Sequence, residues 1–308
     1  MDMIKRKLPH QTDNVFLAYV GMETDIIFNK GIDLPGFAAY PLLENQEGRE
    51  IIKNYHRDFI KLAQSKNLGA ILETPTWVAN RSRAESLGYT PDQLRLINAD
   101  AVQVLSEVRA EFESSTIILS ANLGPRDDAY APSEQMSADE AKTYHMEQLA
   151  IFVDGEVDLV SGYTIAYTAE ATGMVLAAKA LDLPIIISFT VETDGRLPKS
   201  ATLEEAISEV DEATDGYADY FMINCAHPDH FTSILKSAPW MSRIKGVVAN
   251  ASRCSHAELD NAEELDAGDP VEFGQQLTEI RRNFPQINIL GGCCGTDMRH
   301  MQSIADNL

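Results

Sequence analysis

Three of the four cysteines in this 308-residue chain fall in two short segments. Cys225 stands in Ile223-Asn224-Cys225, and Cys293-Cys294 stand inside Gly291-Gly292-Cys293-Cys294-Gly295-Thr296. Each segment follows an apolar run of the kind that forms a buried strand. Three thiolates meeting from two strand ends would hold one Zn²⁺ per chain and leave its fourth tetrahedral position open, the mark of a catalytic rather than a structural site. The competing reading is two buried thiols with a redox-active or disulfide-bonded pair. The flanking glycines favour convergence, because they suit a sharp turn in which adjacent side chains meet at one point. A disulfide among these cysteines in an oxidised, metal-free chain would leave the fold expectation standing. Cys254, in Ser252-Arg253-Cys254-Ser255, has no partner spacing and reads as incidental. His227 follows Cys225 by two residues and reads as a surface loop histidine, since three cysteines suffice.

The chemistry such a site would support is specific. A free thiol is mostly protonated at neutral pH, and only the thiolate is a good nucleophile. Coordination to Zn²⁺ deprotonates a thiol outright. A substrate sulfur in the open position would attack, in line, a methyl group carried by a positively charged donor. No side-chain base is then required, and the protein's remaining task is alignment.

The elements that must position these cysteines read as alternating short apolar and longer amphipathic runs. Strands are expected over Val15–Val20, Ala70–Glu73, Ser115–Ala121, Val157–Ser161, Ile185–Thr190, Tyr220–Asn224, Gly246–Asn250 and Ile287–Leu290, each followed by a helix. Clear helices are expected over Pro91–Phe112, Ala138–Phe152, Ala169–Ala180, Leu203–Ala213, Pro270–Asn283 and Thr296–Asp306. Asp139-Glu140 and Glu204-Glu205 sit in first turns, where they favour the helix dipole. Eight β/α units in this length predict an α/β fold, a single-domain (β/α)₈ TIM barrel over 1–308. A doubly wound open sheet is the rival, and the chain lacks Gly-x-Gly-x-x-Gly after its first strand. A barrel also explains the cysteines. Reactive groups lie at the C-terminal strand ends, and strands six and eight flank strand seven.

These segments resemble the homocysteine S-methyltransferase family, whose members carry an apolar-Asn-Cys segment and, some seventy residues later, Gly-Gly-Cys-Cys-Gly-Thr. Leu183-Pro184-Ile185-Ile186-Ile187-Ser188-Phe189-Thr190 with Asp194-Gly195 looks like the family's fifth strand and loop. Gly21-Met22, Thr24 and Gly31-Ile32-Asp33-Leu34 match its N-terminal segment. The resemblance implies zinc at Cys225, Cys293 and Cys294, homocysteine as acceptor and methionine as product, hence a place in methionine biosynthesis. The donor it implies is S-methylmethionine, betaine or a methylated corrinoid or folate. The layout looks most like the stand-alone S-methylmethionine users.

The departures are informative. Where the family's first strand ends Asp-Gly-Gly, this chain has Tyr19-Val20-Gly21; where the family has Glu-Thr after strand four, it has Tyr163-Thr164. The resemblance assigns those two carboxylates to the acceptor's ammonium group, and a buried ammonium without a carboxylate binds poorly. Glu73, Glu23 or Asp25 could supply a displaced carboxylate, or the acceptor is another thiol. After strand two, Thr74-Pro75-Thr76-Trp77 lacks the family's Asn. Substrate contacts are therefore expected from Tyr19, Thr24, Asp25, Thr74, Trp77, Tyr163 and Asn250. Trp77 and the two tyrosines either face a cationic donor through cation–π attraction or simply pack the barrel mouth. Asn250 matches a family Asn and is alternatively a turn residue.

Composition bounds the partners. Lys+Arg of 25 against Asp+Glu of 47 gives a net charge of -22, which argues against nucleic acid and anionic membrane as partners. It fits a cationic small molecule and also serves solubility. Asp127-Asp128 and Glu263-Glu264 read as solvated loop charges. No signal peptide, membrane span or C-terminal oligomerisation arm is expected, so the chain is expected in a reducing cytoplasm. The expected partners are a thiol acceptor and a methyl donor, with a homodimer as a further assembly. Two other functions stay open: a methyl-transfer component working with a separate corrinoid or folate carrier, and a zinc- or ligand-binding barrel that has lost catalysis.

Overall fold

The computed structural model describes residues 6–19, 21–112, 116–262 and 264–308. Eight strands, β1 (Phe16–Tyr19), β2 (Gly69–Glu73), β3 (Ile117–Leu123), β4 (Leu159–Ile165), β5 (Ile185–Phe189), β6 (Tyr220–Asn224), β7 (Ile244–Ala249) and β8 (Ile289–Gly292), run parallel and close in sequence order. Phe16 closes the ring by pairing with Gly69 on one side and Ile289 on the other. The protein is a (β/α)₈ barrel, as the alternating pattern predicts.

Near-continuous Val, Ile and Leu runs form these strands because both faces are buried. Alternate residues serve two cores. Phe16, Ala18, Ile71, Ile118, Ile186, Tyr220, Met222, Val248 and Ile289 fill the barrel interior. Leu17, Leu72, Leu119, Val160, Ile187, Phe221, Val247 and Leu290 face the helices. Leu8 packs into the interior cluster from the N-terminal end, where Asn288 Nδ2 donates to the carbonyls of Pro9 and Asn14.

The helices begin where their caps dictate. Thr90 with Gln93, Ser137 with Glu140 and Thr202 with Glu205 form reciprocal capping boxes on Pro91–Ala110, Ala138–Phe152 and Leu203–Thr214. Asn45 and Asp269 cap Gln46–Ser65 and Pro270–Asn283. Two expectations need correction. The connection after β6 holds only the turn Pro228–Phe231 and short tight turns, not a full helix. Here Pro228, Pro239 and the Ser-Ala-Pro stretch interrupt the helical pattern. His227 is buried, not on the surface. Its Nδ1 accepts the Asp229 N–H at 3.1 Å and so caps that turn. Burial lowers its pKa to about 4, which keeps the ring a neutral acceptor. The strand expectations at Val20 and Ser115 and the charge at Glu263 lie outside the described residues. No helix among the described residues is long and apolar enough to cross a membrane.

Candidate active site

The C-terminal ends of β6, β7 and β8 bring the cysteines together. β6 ends at Asn224, and Cys225 follows with φ of 53°, a left-handed conformation unusual for a side chain with a Cβ. That reversal keeps Cys225 in the interior cluster rather than letting it alternate outward. Its N–H donates to Val248 O at 3.1 Å, and Asn250 Nδ2 donates to Cys225 O at 3.1 Å.

The Cys-Cys turn is fastened on every side. Cys293 N donates to Ala249 O at 2.7 Å, Ala251 N donates to Cys294 O at 3.1 Å, and Thr296 Oγ1 donates to Cys293 O at 2.7 Å. Two glycines are required by space and backbone. A Cβ on Gly291 would lie 1.8 Å from Ala18 O, so the β8–β1 pairing needs its bare backbone. Gly295 has φ of 79°, which lets the turn end. Thr24 Oγ1 accepts the Gly295 N–H at 3.1 Å and donates to Gly21 O at 2.9 Å, clamping the β1 loop to the cysteine turn.

The outcome is a convergent trio. The sulfurs of Cys225, Cys293 and Cys294 lie within 4.8 Å of one another. Cys225 and Cys294 sulfurs are 3.8 Å apart, and Cys225 and Cys293 sulfurs are in bonding contact. Cys254 is exposed and apart from them. Burial, with a smaller push from Glu23, raises the Cys294 thiol to about 12. Three thiolates here therefore need a compensating cation, and an all-sulfur donor set suits Zn²⁺.

The trio lines a cavity of about 480 Å³, within the range of small-molecule sites. Tyr19, Thr24, Thr74, Trp77, Tyr163 and Asn250 are on its wall, and Asp25 is not. Asp25 instead accepts from Tyr55 Oη and from Asn29 Nδ2. Tyr19 lies on the outward face of β1, stacked on Tyr55 at 5.4 Å, with the two phenols 2.8 Å apart. Tyr163 points into the barrel and hydrogen-bonds the Glu73 carboxyl. Trp77 Nε1 donates to Tyr163 O at 3.2 Å, which stands the indole against the cavity. Asn250 is buried, and its Oδ1 has no hydrogen-bond partner among the described residues.

Several site residues escape a linear reading. Tyr130, from the loop after β3, packs against the cysteine cluster and stacks on His256 of the β7 loop, with ring centroids 3.7 Å apart. Burial lowers His256 to about 4, so it stays neutral. Asn224 locks a bulge in β4: Thr164, at φ of 63°, donates its N–H to Asn224 Oδ1 at 3.0 Å and accepts from Asn224 Nδ2 at 2.8 Å. The same amide lies 4.0 Å from Cys293 Sγ. Loop aromatics carry no periodic signal. The β4 bulge could have been suspected only from Thr164 following two residues after Gly162 at a strand end.

The wall is acidic and aromatic. Burial raises Glu23 and Glu73 to about 7 each. Asp128, Asp260, Glu264 and Asp266 sit at the exposed rim, and Arg83 is the one Lys or Arg among the described lining residues. Asp128 and Glu264 are thus solvated, as expected, yet they border the cavity. Phe28, Phe37, Phe59, Tyr55, Trp77 and Tyr130 supply aromatic surface.

A parallel barrel whose C-terminal rim gathers three thiols on the wall of a small-molecule cavity defines a class, the (β/α)₈ barrels with a candidate thiolate metal site. The profile of the homocysteine S-methyltransferase family matches residues 20–308, and the chain belongs to that family. Curated relatives include betaine–homocysteine S-methyltransferase 1 of Danio rerio, 24% identical over 281 residues, and that of Rattus norvegicus, 22% identical over 280 residues. Each alignment takes in 85% of this chain but only 66% and 65% of the respective relative, just under two thirds of its length. Among solved structures, the homocysteine methyltransferase MmuM from Escherichia coli superposes in its metallated form with a TM-score of 0.72 at 16% identity, covering 97% of both chains. Its oxidised form gives 0.71 at 18% identity, covering 98% of this chain and all of that one. At such identities the superpositions speak for the fold.

Proposed function

We propose that this chain is a zinc-dependent S-methyltransferase that moves a methyl group from a cationic donor, such as S-methylmethionine, to the thiolate of homocysteine or a related thiol. The observation that carries the reading is the convergence of Cys225, Cys293 and Cys294 on the wall of an acidic, aromatic cavity at the C-terminal rim. Family membership supports the reaction class.

Cys225, Cys293 and Cys294 would hold the metal. Bound there, Zn²⁺ would supply Lewis acidity that keeps an incoming thiol as thiolate at neutral pH. The protein's residues do the rest. The Thr24 and Thr296 hydroxyls brace the turn that aims Cys293 and Cys294. Asn250 fixes the Cys225 carbonyl. Trp77 and Tyr130 offer ring faces to a sulfonium or quaternary ammonium donor, an attraction of about 0.5–2 kcal/mol. Glu23 and the rim acids Asp128, Asp260 and Asp266 favour entry of a cation over an anion. The buried neutral His256 holds Tyr130 over the cysteine cluster rather than acting as a base. Methyl transfer turns a sulfonium donor into a neutral thioether, which the acidic wall holds less strongly, and this favours product release.

The test uses the reduced, zinc-loaded chain with S-methylmethionine and homocysteine, measuring methionine formed. Turnover that disappears in Cys225→Ser is the expected result. Zinc binding without methyl transfer across several thiols and donors would sink the proposal in favour of a ligand-binding barrel. Turnover only with an added corrinoid or folate carrier would move the chain to the role of a methyl-transfer component.

A further inference from the structure

The cavity floor carries a carboxyl group that the proposed methyl transfer does not use. Glu73 ends β2 and, like Ile71 two residues before it, turns its side chain into the barrel, where it is 5% exposed. Ser161 Oγ donates to Glu73 Oε2 at 2.8 Å, and Ser120 and Tyr163 also hydrogen-bond the carboxyl. Ser120 Oγ in turn donates to Ser161 Oγ at 2.9 Å. Three hydroxyls from β3 and β4 therefore fix the group in one orientation. No cationic side chain among the described residues acts on it. His56 meets only the Glu73 backbone carbonyl, at 3.2 Å.

On the next strand, a buried acceptor lacks a hydrogen-bond partner among the described residues. Asn122 is 6% exposed, lines the cavity, and has a buried Oδ1 with no hydrogen bond among the described residues. Its own N–H is taken by Thr74 Oγ1 at 2.9 Å. The register pairs Glu73 with Ser120 and Asn122 with Ser161, so Asn122 stands on the same inward face as Ser120, one pleat nearer the mouth. Tyr163 is likewise one inward position above Ser161 on β4. Glu73, Asn122 and Tyr163 thus present oxygen acceptors from three consecutive strands to one region of the cavity.

A purely structural role for this cluster explains the serines but not the unpaired oxygen. Buried acceptors normally have donors, and a buried carboxylate normally has a cation or is neutralised. A primary ammonium brings three N–H donors and one positive charge, which matches three acceptors and one carboxyl. Burial, partly offset by the three hydroxyls, raises Glu73 to about 7, and a cation beside it would return it to the charged form. The cluster also connects to the sulfur site. Tyr163 precedes Thr164, which is locked to Asn224, whose amide lies 4.0 Å from Cys293 Sγ.

We infer that Glu73, Asn122 Oδ1 and the Tyr163 phenol form a subsite for the primary ammonium group of an amino-acid substrate whose sulfur reaches the cysteine trio. The assignment of that sulfur rests on the methyl-transfer reading. The ammonium belongs to the thiol acceptor or to a sulfonium amino-acid donor, and two experimental arms separate these.

The experiment is titration calorimetry on the reduced, zinc-loaded chain, wild type against Glu73→Gln and Asn122→Ala. One arm compares homocysteine with 4-mercaptobutanoate, which lacks only the amino group. The other compares S-methylmethionine with its des-amino sulfonium analogue. Glu73→Gln keeps the shape and one acceptor oxygen while removing the charge. It should weaken the amino-bearing ligand of one arm by about 10- to 100-fold and leave its des-amino partner within about twofold. Asn122→Ala should lower the same affinity by a smaller factor, about 3- to 10-fold. The arm that responds names the source of the ammonium. Equal losses for amino and des-amino ligands, or no loss in either arm, overturn the subsite. Because binding is read directly, absent methyl transfer with intact amino discrimination would sink the methyl-transfer reading and leave the subsite standing.

Discussion

Cys225 sits in a left-handed conformation that few side chains tolerate, and that backbone choice turns its sulfur toward Cys294. Such strain costs about 1–3 kcal/mol and persists where the surroundings enforce it. If the three sulfurs share one metal, Cys225→Ser, Cys293→Ser and Cys294→Ser should each lose most bound zinc by metal analysis. Cys254→Ser should keep it. Unchanged zinc in all three site variants would remove the metal site. Glu73 supports a second residue-level prediction. Its carboxyl rises from 4.5 to about 7 on folding, with Ser120, Ser161, Tyr163 and the nearby Tyr220 facing it. Between those pH values the folded state binds more protons than the unfolded one, so stability falls as pH rises. At about 1.4 kcal/mol per pH unit the loss is on the order of 3 kcal/mol. Urea unfolding of ligand-free Glu73→Gln should show a correspondingly smaller decline from pH 4.5 to 7. Identical pH profiles for variant and wild type would contradict a buried, raised Glu73.

β4 is the element on which the site's geometry turns. It runs to Ile165 through a register shift between Gly162 and Ile165, four residues past the Ser161 end expected from the apolar run. The shift holds only because Asn224 of β6 satisfies both the N–H and the hydroxyl of Thr164. Removing that amide leaves buried groups unpaired, at about 1–3 kcal/mol each. Asn224→Leu should therefore destabilise the protein by about 2–4 kcal/mol in denaturant unfolding. A loss below about 0.5 kcal/mol, the size of an ordinary surface substitution, would mean the bulge is held by something else.

At the scale of the molecule, the cysteine trio joins the ends of β6 and β8, which are distant in sequence but flank β7 in the barrel. A ligand that binds only the folded arrangement stabilises it by mass action, about 2.7 kcal/mol at a hundredfold excess over its dissociation constant. Added zinc should raise the Tm of the reduced chain by several degrees, and a chelator should reverse the shift. The variant lacking Cys225, Cys293 and Cys294 together should show no shift.

The sequence by itself determined the elements and the trio. Buried parallel strands read as continuous Val-Ile-Leu runs, and β6 was legible to both ends. Capping boxes fixed the start of Ala138–Phe152, and the helices Ala138–Phe152 and Pro270–Asn283 match residue for residue. The Gly-Gly-Cys-Cys-Gly-Thr run was legible because its residues act on one another locally, through a turn closed by Thr296 and Gly295. The connection after β6 misled, since eight units suggest eight helices while local prolines rule one out there. Only the tertiary structure decided what faces the sulfurs. The stacking of Tyr130 on His256 joins loops 126 positions apart, and the partners of Glu73 come from the next two strands. Such contacts depend on strand register and loop closure, which no local spacing encodes. The same holds for Tyr19 and Tyr163. The sequence shows that a phenol stands at each place, but side-chain direction decides that one stacks outward on Tyr55 and the other turns inward to Glu73.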